Sequence, residues 1–213
     1  MNGLDGLNQS MNGERGHIYG VVVGIVKSNT LDALGRVEVK LPGLSDTEIG
    51  HPARLVTLMA GNEYGTFFLP QVKDEVLVAF EGGDITRPYV LGALWNGKDK
   101  SPDTNANSQN NLRFIKSRSG HLVRLDDTGG AEKIEIIDKS GGNSITLDTA
   151  RNTITIKAAQ DIIIEAAQGT IRLDAKNVEI VSWAATGVLA KGGLSLDGSP
   201  GDTTITGTIV NIN

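Results

Sequence analysis

Apolar and polar residues alternate with a short, repeated period through the second half of this 213-residue chain. Two apolar residues flank one residue, a polar segment follows, and within residues 145–180 the motif returns every seven to nine residues. Alternate residues of a strand share one face, so each motif predicts a short strand followed by a polar corner. Repeated units of this kind are stable only when they stack. The apolar pairs are Ile134/Ile136, Ile145/Leu147, Ile154/Ile156, Ile162/Ile164, Ile171/Leu173, Val178/Ile180 and Leu194/Leu196.

The sequence after residue 112 contains no helical pattern that could cover the apolar face of these strands. A single-chain β-helix needs about 18 residues for each three-sided coil, and this repeat supplies one strand and one corner. Three chains that each contribute one face would bury the apolar pairs and hide the strand edges. We therefore expect residues 112–213 to form an intertwined trimeric β-helix, a triangular prism, with the paired residues as its trimer core.

The first half of the chain predicts a different all-β module. Six short runs rich in β-branched residues are separated by turn residues, which favours an OB-fold barrel. The runs cover residues 17–26, 35–41, 53–58, 65–69, 74–80 and 88–94. The expected organisation is a flexible N-terminal arm at 1–14, the barrel at 15–97, a polar linker or neck at 98–111 and the rod at 112–213.

Composition excludes several classes of function. The chain has no cysteine, which rules out disulfides, thiolate metal sites and a cysteine nucleophile. Its net charge of −5 argues against binding to nucleic acid. No apolar run is long enough for a transmembrane helix, and the N-terminal residues predict no signal peptide.

Candidate catalytic or metal-binding groups are sparse. His121 lies near Asp126 and Asp127 in the sequence, but Asp126–Gly129 has the composition of a turn. Four aspartates follow predicted strands, where calcium ligands or corner residues could stand, and corners are favoured because the calcium-binding nonapeptide is absent. We expect no catalytic residue, no cofactor and no metal site. The four aspartates are Asp138, Asp148, Asp174 and Asp197.

Both halves resemble one known family. Residues 35–43, 65–84 and 87–96 are similar to the OB barrel of the phage baseplate spike (protein V) family, and residues 117–136 are similar to the start of its β-helix. Relatives of that family include the spike-forming valine-glycine-repeat proteins of type VI secretion and of extracellular contractile injection systems.

The resemblance implies a homotrimeric, non-enzymatic central spike of a contractile tail or injection system. It would be assembled in the bacterial cytoplasm, dock on a baseplate hub protein and puncture the target membrane on firing. Effector cargo is an optional partner, and nucleic acid is not expected. Because no His-x-His motif stands near the end of the sequence, a separate PAAR-type tip protein is expected there. The residues that would dock it are Ile209, Val210, Asn211, Ile212 and Asn213.

Two alternatives belong to other classes. A β-helical polysaccharide or cell-wall hydrolase would need clustered carboxylates on one face of the rod. An OB-fold adaptor with a trimerising stalk would need no baseplate partner.

Overall fold

The computed structural model describes residues 17–44 and 49–210, and these residues form an all-β structure. The only helical turn among them is a single 3-10 turn at Glu81–Gly83. The chain separates into two units, one ending at Ala159 and one beginning at Gln160. Within the described ranges, no helix is long and apolar enough to cross a membrane.

The first half of the chain folds as a closed five-stranded barrel, with strand order β1-β2-β3-β7-β6. All neighbours are antiparallel except β3 and β7, which pair in parallel. A closed barrel of this order is the topology of an OB fold, as expected from the sequence. A small hairpin, β4 and β5, follows β3. The strands are β1 Val22–Ser28, β2 Arg36–Lys40, β3 His51–Leu55, β4 Ala60–Gly61, β5 Tyr64–Gly65, β6 Glu75–Phe80 and β7 Pro88–Leu94.

Alternation along the strands fills the barrel with small β-branched side chains. A Cβ on Gly24 would lie 2.9 Å from Val78 Cγ2 and 3.4 Å from Leu41 Cδ2, so a glycine is needed where β1 crosses the core. Gly82 and Gly83 have φ of 59° and 82° and make the tight turn between β6 and β7 that the glycines predicted. The buried core consists of Val26, Val37, Val39, Leu41, Ala53, Val76, Val78, Phe80 and Val90.

Two strand predictions in the barrel need correction. The run at 65–69 is not a strand beyond Gly65, and both Phe67 and Phe68 are exposed. The first strand begins at Val22 rather than at His17, which makes only an isolated bridge to Asp84. Both runs are rich in β-branched or aromatic residues, and that composition alone does not supply a partner strand.

Residues 98–111, where the sequence predicts a neck, contain no strand. Local hydrogen bonds shape this segment: the Asn105 side chain accepts the backbone N–H of Asn110 at 2.8 Å. Asn105, Ser108 and Asn110 all have positive φ. The segment is exposed except for half-buried Ser101 and Asn111, so it connects two β-structures without contributing to a core. The expected boundaries of the neck stay a prediction.

Five strands after the neck form an antiparallel meander, in the order β12-β11-β10-β9-β8. Each strand pairs only with its sequence neighbours. The turn between β8 and β9 is hydrogen-bonded to the barrel. Arg118 Nη1 in this turn donates to Gln71 Oε1 at 2.9 Å. The strands are β8 Leu112–Lys116, β9 Leu122–Asp126, β10 Lys133–Ile137, β11 Ser144–Asp148 and β12 Thr153–Lys157.

An aspartate organises each of the last three turns of the meander. Hydrogen bonds from the Thr128 hydroxyl and backbone lower the pKa of Asp126. The Ser140 hydroxyl and the Asn143 backbone lower the pKa of Asp138, and the Arg151 backbone and guanidinium lower that of Asp148. Asp138 and Asp148 are thus turn residues, as predicted.

The described residues 160–210 contain no strand within one chain. The trimeric β-helix predicted for residues 112–213 therefore stays a prediction for this segment. The N-terminal arm at 1–14 lies outside the described residues.

Shortening the Leu41 side chain should lower the free energy of unfolding of the barrel. Leu41 is 2% exposed, and Leu→Ala at such a site costs about 2–5 kcal/mol of unfolding free energy. Hydrogen exchange of the β1 and β2 amides in Leu41→Ala measures this loss. Leu58→Ala is the control, because Leu58 is 95% exposed and its truncation should change stability by less than about 0.5 kcal/mol. Equal protection in the two variants would contradict the core assignment.

Acid should weaken the meander through its turn aspartates. Their folded pKa values lie below the ordinary 3.8, so their hydrogen bonds stabilise the fold above that value and are lost as pH falls through the folded pKa. We expect Asp138→Ala to lower stability at neutral pH and to flatten the acid dependence below about pH 4, measured by hydrogen exchange of β10 and β11. Asp161→Ala is the control, because Asp161 accepts no hydrogen bond from any described residue. The same acid response in both variants would refute this role for the turns.

Candidate assembly surface

The strand register gathers the apolar residues of the meander into two rows on one face. In the first row, Ile136 is paired with Val123 on one side and Ile145 on the other. Ile115 and Ile156 extend this row to the outer strands. The first row therefore crosses all five strands.

A second row runs parallel to the first, two residues along each strand. Ile134 is paired with Leu125 and Leu147, and Leu147 is paired with Ile154. On β8 the position opposite Leu125 is Arg113, so this row is apolar on four strands. Together, the nine apolar residues of the two rows define what we call the two-row face.

No side chain of residues 17–44 or 49–159 covers the two-row face. Its nine side chains are between 40% and 73% exposed, although each points to the same side of a regular sheet. Monomeric proteins rarely expose a contiguous apolar surface of this kind, and where one occurs it marks an interaction site. The two rows consist of Ile115, Val123, Leu125, Ile134, Ile136, Ile145, Leu147, Ile154 and Ile156.

The centre of the reverse face carries a polar cluster that is satisfied within the chain, and half-buried Leu112, Phe114, Leu122 and Ile137 lie on the same face. Arg124 Nε donates to Glu135 Oε2 at 2.9 Å, and its Nη2 contacts the same oxygen. Lys133 Nζ lies 3.4 Å from the other Glu135 oxygen, and Glu135 is only 8% exposed. Thr146 and Thr155 continue this row toward the edge strand. The reverse face thus has an ion-paired polar centre, whereas the two-row face is apolar across the sheet.

A shallow hollow of about 420 Å³ lies over the first row and is lined by all five of its residues. His121 stands at the rim, and its Nδ1 accepts the backbone N–H of Lys139 at 3.3 Å. The lining is largely hydrophobic, with polar groups at one end. Such a hollow suits apolar side chains from another polypeptide better than a polar ligand.

The sequence-predicted core residues divide between this sheet and the segment that follows it. The first six of the fourteen lie on the two-row face. The other eight lie in residues 160–210, where all are exposed. Within residues 160–210, the described backbone makes only two hydrogen bonds with itself, Gly169 to Ala166 and Gly201 to Gly198. Their role as a trimer core stays a prediction, and these eight are Ile162, Ile164, Ile171, Leu173, Val178, Ile180, Leu194 and Leu196.

Three members of the two-row face were not singled out from the sequence: Ile115, Val123 and Leu125. The alternation that could have revealed them is short in β8 and β9 and is interrupted by Arg113. Among the expected tip-docking residues, Ile209 and Val210 are exposed. Asn211, Ile212 and Asn213 lie outside the described residues.

The fold does not bring His121 together with Asp126 and Asp127, the candidate acid–base residues. His121 precedes β9 and Asp126 ends it, so about five residues of extended strand, roughly 17 Å, lie between them. Asp127 is paired with Arg113 at 2.6 Å. Among the described residues, no three His, Asp or Glu side chains are grouped as metal ligands would be.

The barrel matches a known family model. Residues 22–95 match the type VI secretion system/phage-baseplate injector OB domain. These residues include every strand of the closed barrel. The barrel is therefore similar to this family of injector OB domains.

Several curated proteins to which this chain is similar are type VI secretion system spike proteins. It is 30% identical over 90 residues to the type VI secretion system spike protein VgrG1a of Pseudomonas aeruginosa, covering 39% of this chain and 14% of the relative. It is 28% identical over 128 residues to VgrG5 of the same organism, covering 57% and 15%. VgrG3 of Vibrio cholerae is 25% identical over 111 residues, covering 48% and 11%. The matches therefore span less than a sixth of each relative.

A charge placed on the two-row face should disrupt self-association. Ile156 lies on that face and Thr155 on the reverse face of the same strand, so the two adjacent positions form a matched pair. We expect Ile156→Asp to lower the native mass of the purified chain, because an unpaired carboxylate is costly in an apolar interface. Thr155→Asp should leave the native mass unchanged. Light scattering measures both, and equal behaviour of the two variants would contradict a role for this face.

Proposed function

We propose that this chain is the homotrimeric central spike of a contractile tail or contractile injection system. The observation that carries the proposal is the two-row face, a regular apolar surface with no cover in one chain. Fully burying one Ile or Leu contributes about 1.5–3 kcal/mol, while the net stability of a protein is about 5–15 kcal/mol. The nine side chains are about half exposed, so covering them would contribute about 7–14 kcal/mol, which is comparable with the whole net stability.

Three copies provide a cover with the right chemistry. Each sheet would turn its two-row face inward, and the three would close a triangular prism whose polar reverse faces meet solvent. The later apolar pairs at 160–210 would continue the prism, with strand partners supplied by the other chains. This arrangement satisfies the backbone groups that one chain leaves unpaired and removes the free edges of β8 and β12.

The family supplies the setting for the trimer. The matched relatives are spike proteins of type VI secretion systems, and the matched domain is one of injectors and phage baseplates. By this likeness, the barrels dock on a baseplate hub protein and the far end of the rod carries a PAAR-type tip protein. The spike would be located on the baseplate and would puncture a target membrane on firing.

This role is mechanical and needs no reaction chemistry. A rod with a continuous apolar core and interchain strand pairing resists unfolding under load, because its layers cannot open one at a time without exposing apolar surface. The barrel, which closes on itself, is a module that can be fixed to a hub independently of the rod.

The native mass of the full-length chain tests the proposal. We expect light scattering to give three times the 22.5 kDa of one chain. The same sample should migrate as a trimer on a denaturing gel until it is heated, because interchain strand pairing makes dissociation slow. A folded monomer would overturn the proposal. A trimer that dissociates in detergent without heating would contradict the intertwined rod.

A further inference from the structure

A second pocket lies on the barrel, away from the two-row face. It has a volume of about 350 Å³ and lies over β2 and β3, between the loop at 29–35 and the loop at 81–87. This is the position where OB folds bind their ligands, on the face of strands 2 and 3 between the first and last inter-strand loops. The assembly role proposed above does not involve it. Its lining residues are Leu34, Arg36, Pro52, Arg54, Glu81, Thr86, Arg87, Pro88 and Tyr89.

Three strands place two arginines and a tyrosine side by side across the floor of this pocket. Arg36 of β2 is directly opposite Arg54 of β3, and Arg54 is paired with Tyr89 of β7. Directly opposite residues have Cβ atoms about 4.5–5.5 Å apart, and like charges there are destabilising. Asp32 offsets the charge of Arg36, so the charge that a bound anion could offset is that of Arg54.

The guanidinium groups of Arg36 and Arg54 differ in their hydrogen-bond partners. Arg36 forms a close ion pair with Asp32, with Nη2 at 2.7 Å and Nε at 2.8 Å from Oδ2. Arg54 donates a single hydrogen bond, from Nη1 to the Tyr89 hydroxyl at 3.2 Å, and its guanidinium lies 5.3 Å from the Tyr89 ring centroid. Arg54 has no carboxylate partner within the described part of the chain. Most of its five N–H donors are therefore available.

A second arginine stands at the pocket edge in two long ion pairs. Arg87 lies 3.6 Å from a Glu81 oxygen and 3.8 Å from an Asp84 oxygen, distances too long for good hydrogen bonds. Glu81 also accepts a hydrogen bond from the Tyr89 hydroxyl at 2.9 Å. Tyr89 thus accepts from Arg54 and donates to Glu81. These two hydrogen bonds hold Arg54 in place. Among the described residues that line the pocket, Glu81 is the one acidic residue.

We propose that this pocket binds a carboxylate side chain from an extended acidic segment of a partner protein. Arg54 supplies the planar donor fork that matches a carboxylate, and Arg87 supplies a second charge. Leu34, Pro52 and Pro88 form apolar walls that suit the aliphatic stem of a glutamate.

The same features argue against a nucleic-acid ligand. Single strands are held by a continuous basic groove and by aromatic rings on which bases stack. Tyr89 is the one aromatic residue in the lining, and Arg54 occupies its ring. The pocket holds one or two carboxylates rather than a phosphate backbone.

Peptide binding to the full-length chain tests this inference. The probe is a fluorescein-labelled, acetylated Glu-Asp-Glu-Asp-Glu peptide, followed by fluorescence anisotropy at low and physiological salt. The chain's net charge of −5 disfavours non-specific attraction to this peptide. We expect saturable binding that Arg54→Gln weakens about tenfold or more, as expected for loss of a charged hydrogen-bond donor.

Two further variants separate the pocket from general electrostatics. Lys98→Gln makes the same charge change at an exposed position outside the pocket and should leave the affinity within about twofold. Glu81→Gln removes the competing carboxylate and should tighten binding several-fold, a gain that misfolding cannot produce.

Several results would overturn the inference. These are the absence of saturable binding, equal weakening by Arg54→Gln and Lys98→Gln, or no gain with Glu81→Gln. Tighter binding of a short oligothymidine than of the peptide would assign the pocket to nucleic acid instead. All of these readouts are independent of the trimer, because the pocket is built entirely within one barrel.

Discussion

A sheet with one apolar face must bury that face, and this requirement governs the second half of the chain. The meander from β8 to β12 satisfies its internal strand pairing and its polar side without help, through the Arg124–Glu135–Lys133 cluster. Within residues 17–44 and 49–159, no side chain covers its two-row face. No helix in this part of the chain can cover that face, which supports the proposal that another chain covers it.

The two halves of the chain solve the edge problem of β-structure in different ways. The barrel pairs β1 with both β2 and β6, so its sheet closes and no edge is left open. The meander has two open edges and one open face. A closed barrel can be stable as a single chain, whereas an open sheet with an apolar face gains stability only by assembly. One half therefore suits a docking module, and the other suits a shaft.

Sequence periodicity could predict the faces of the strands but not their partners. Alternation assigned Ile134, Ile136 and Ile145 to one side correctly, because side-chain direction is a local property of extended backbone. Whether the adjacent strand comes from the same chain or another one is not encoded in that period. The strand predicted at 65–69 was wrong for a related reason. Its residues favour strands, yet of this run only Gly65 has a strand partner, in the short β4–β5 hairpin. The pocket around Arg54 could not be predicted from the sequence, because the register between β2 and β3 is what places Arg36 beside Arg54.

Turn chemistry explains why in-chain pairing ends at Lys157. The reversals of the meander use residues that tolerate positive φ: Gly120, Gly130, Gly141 and Asn152. Beyond β12, residues 158–161 read Ala-Ala-Gln-Asp, with no glycine or asparagine to make a comparable reversal. The apolar alternation nevertheless continues at Ile162 and Ile164. A sequence that keeps the strand pattern while it loses the hairpin turns favours pairing with other chains over folding back on itself. The proposed intertwined rod would require this kind of change after β12.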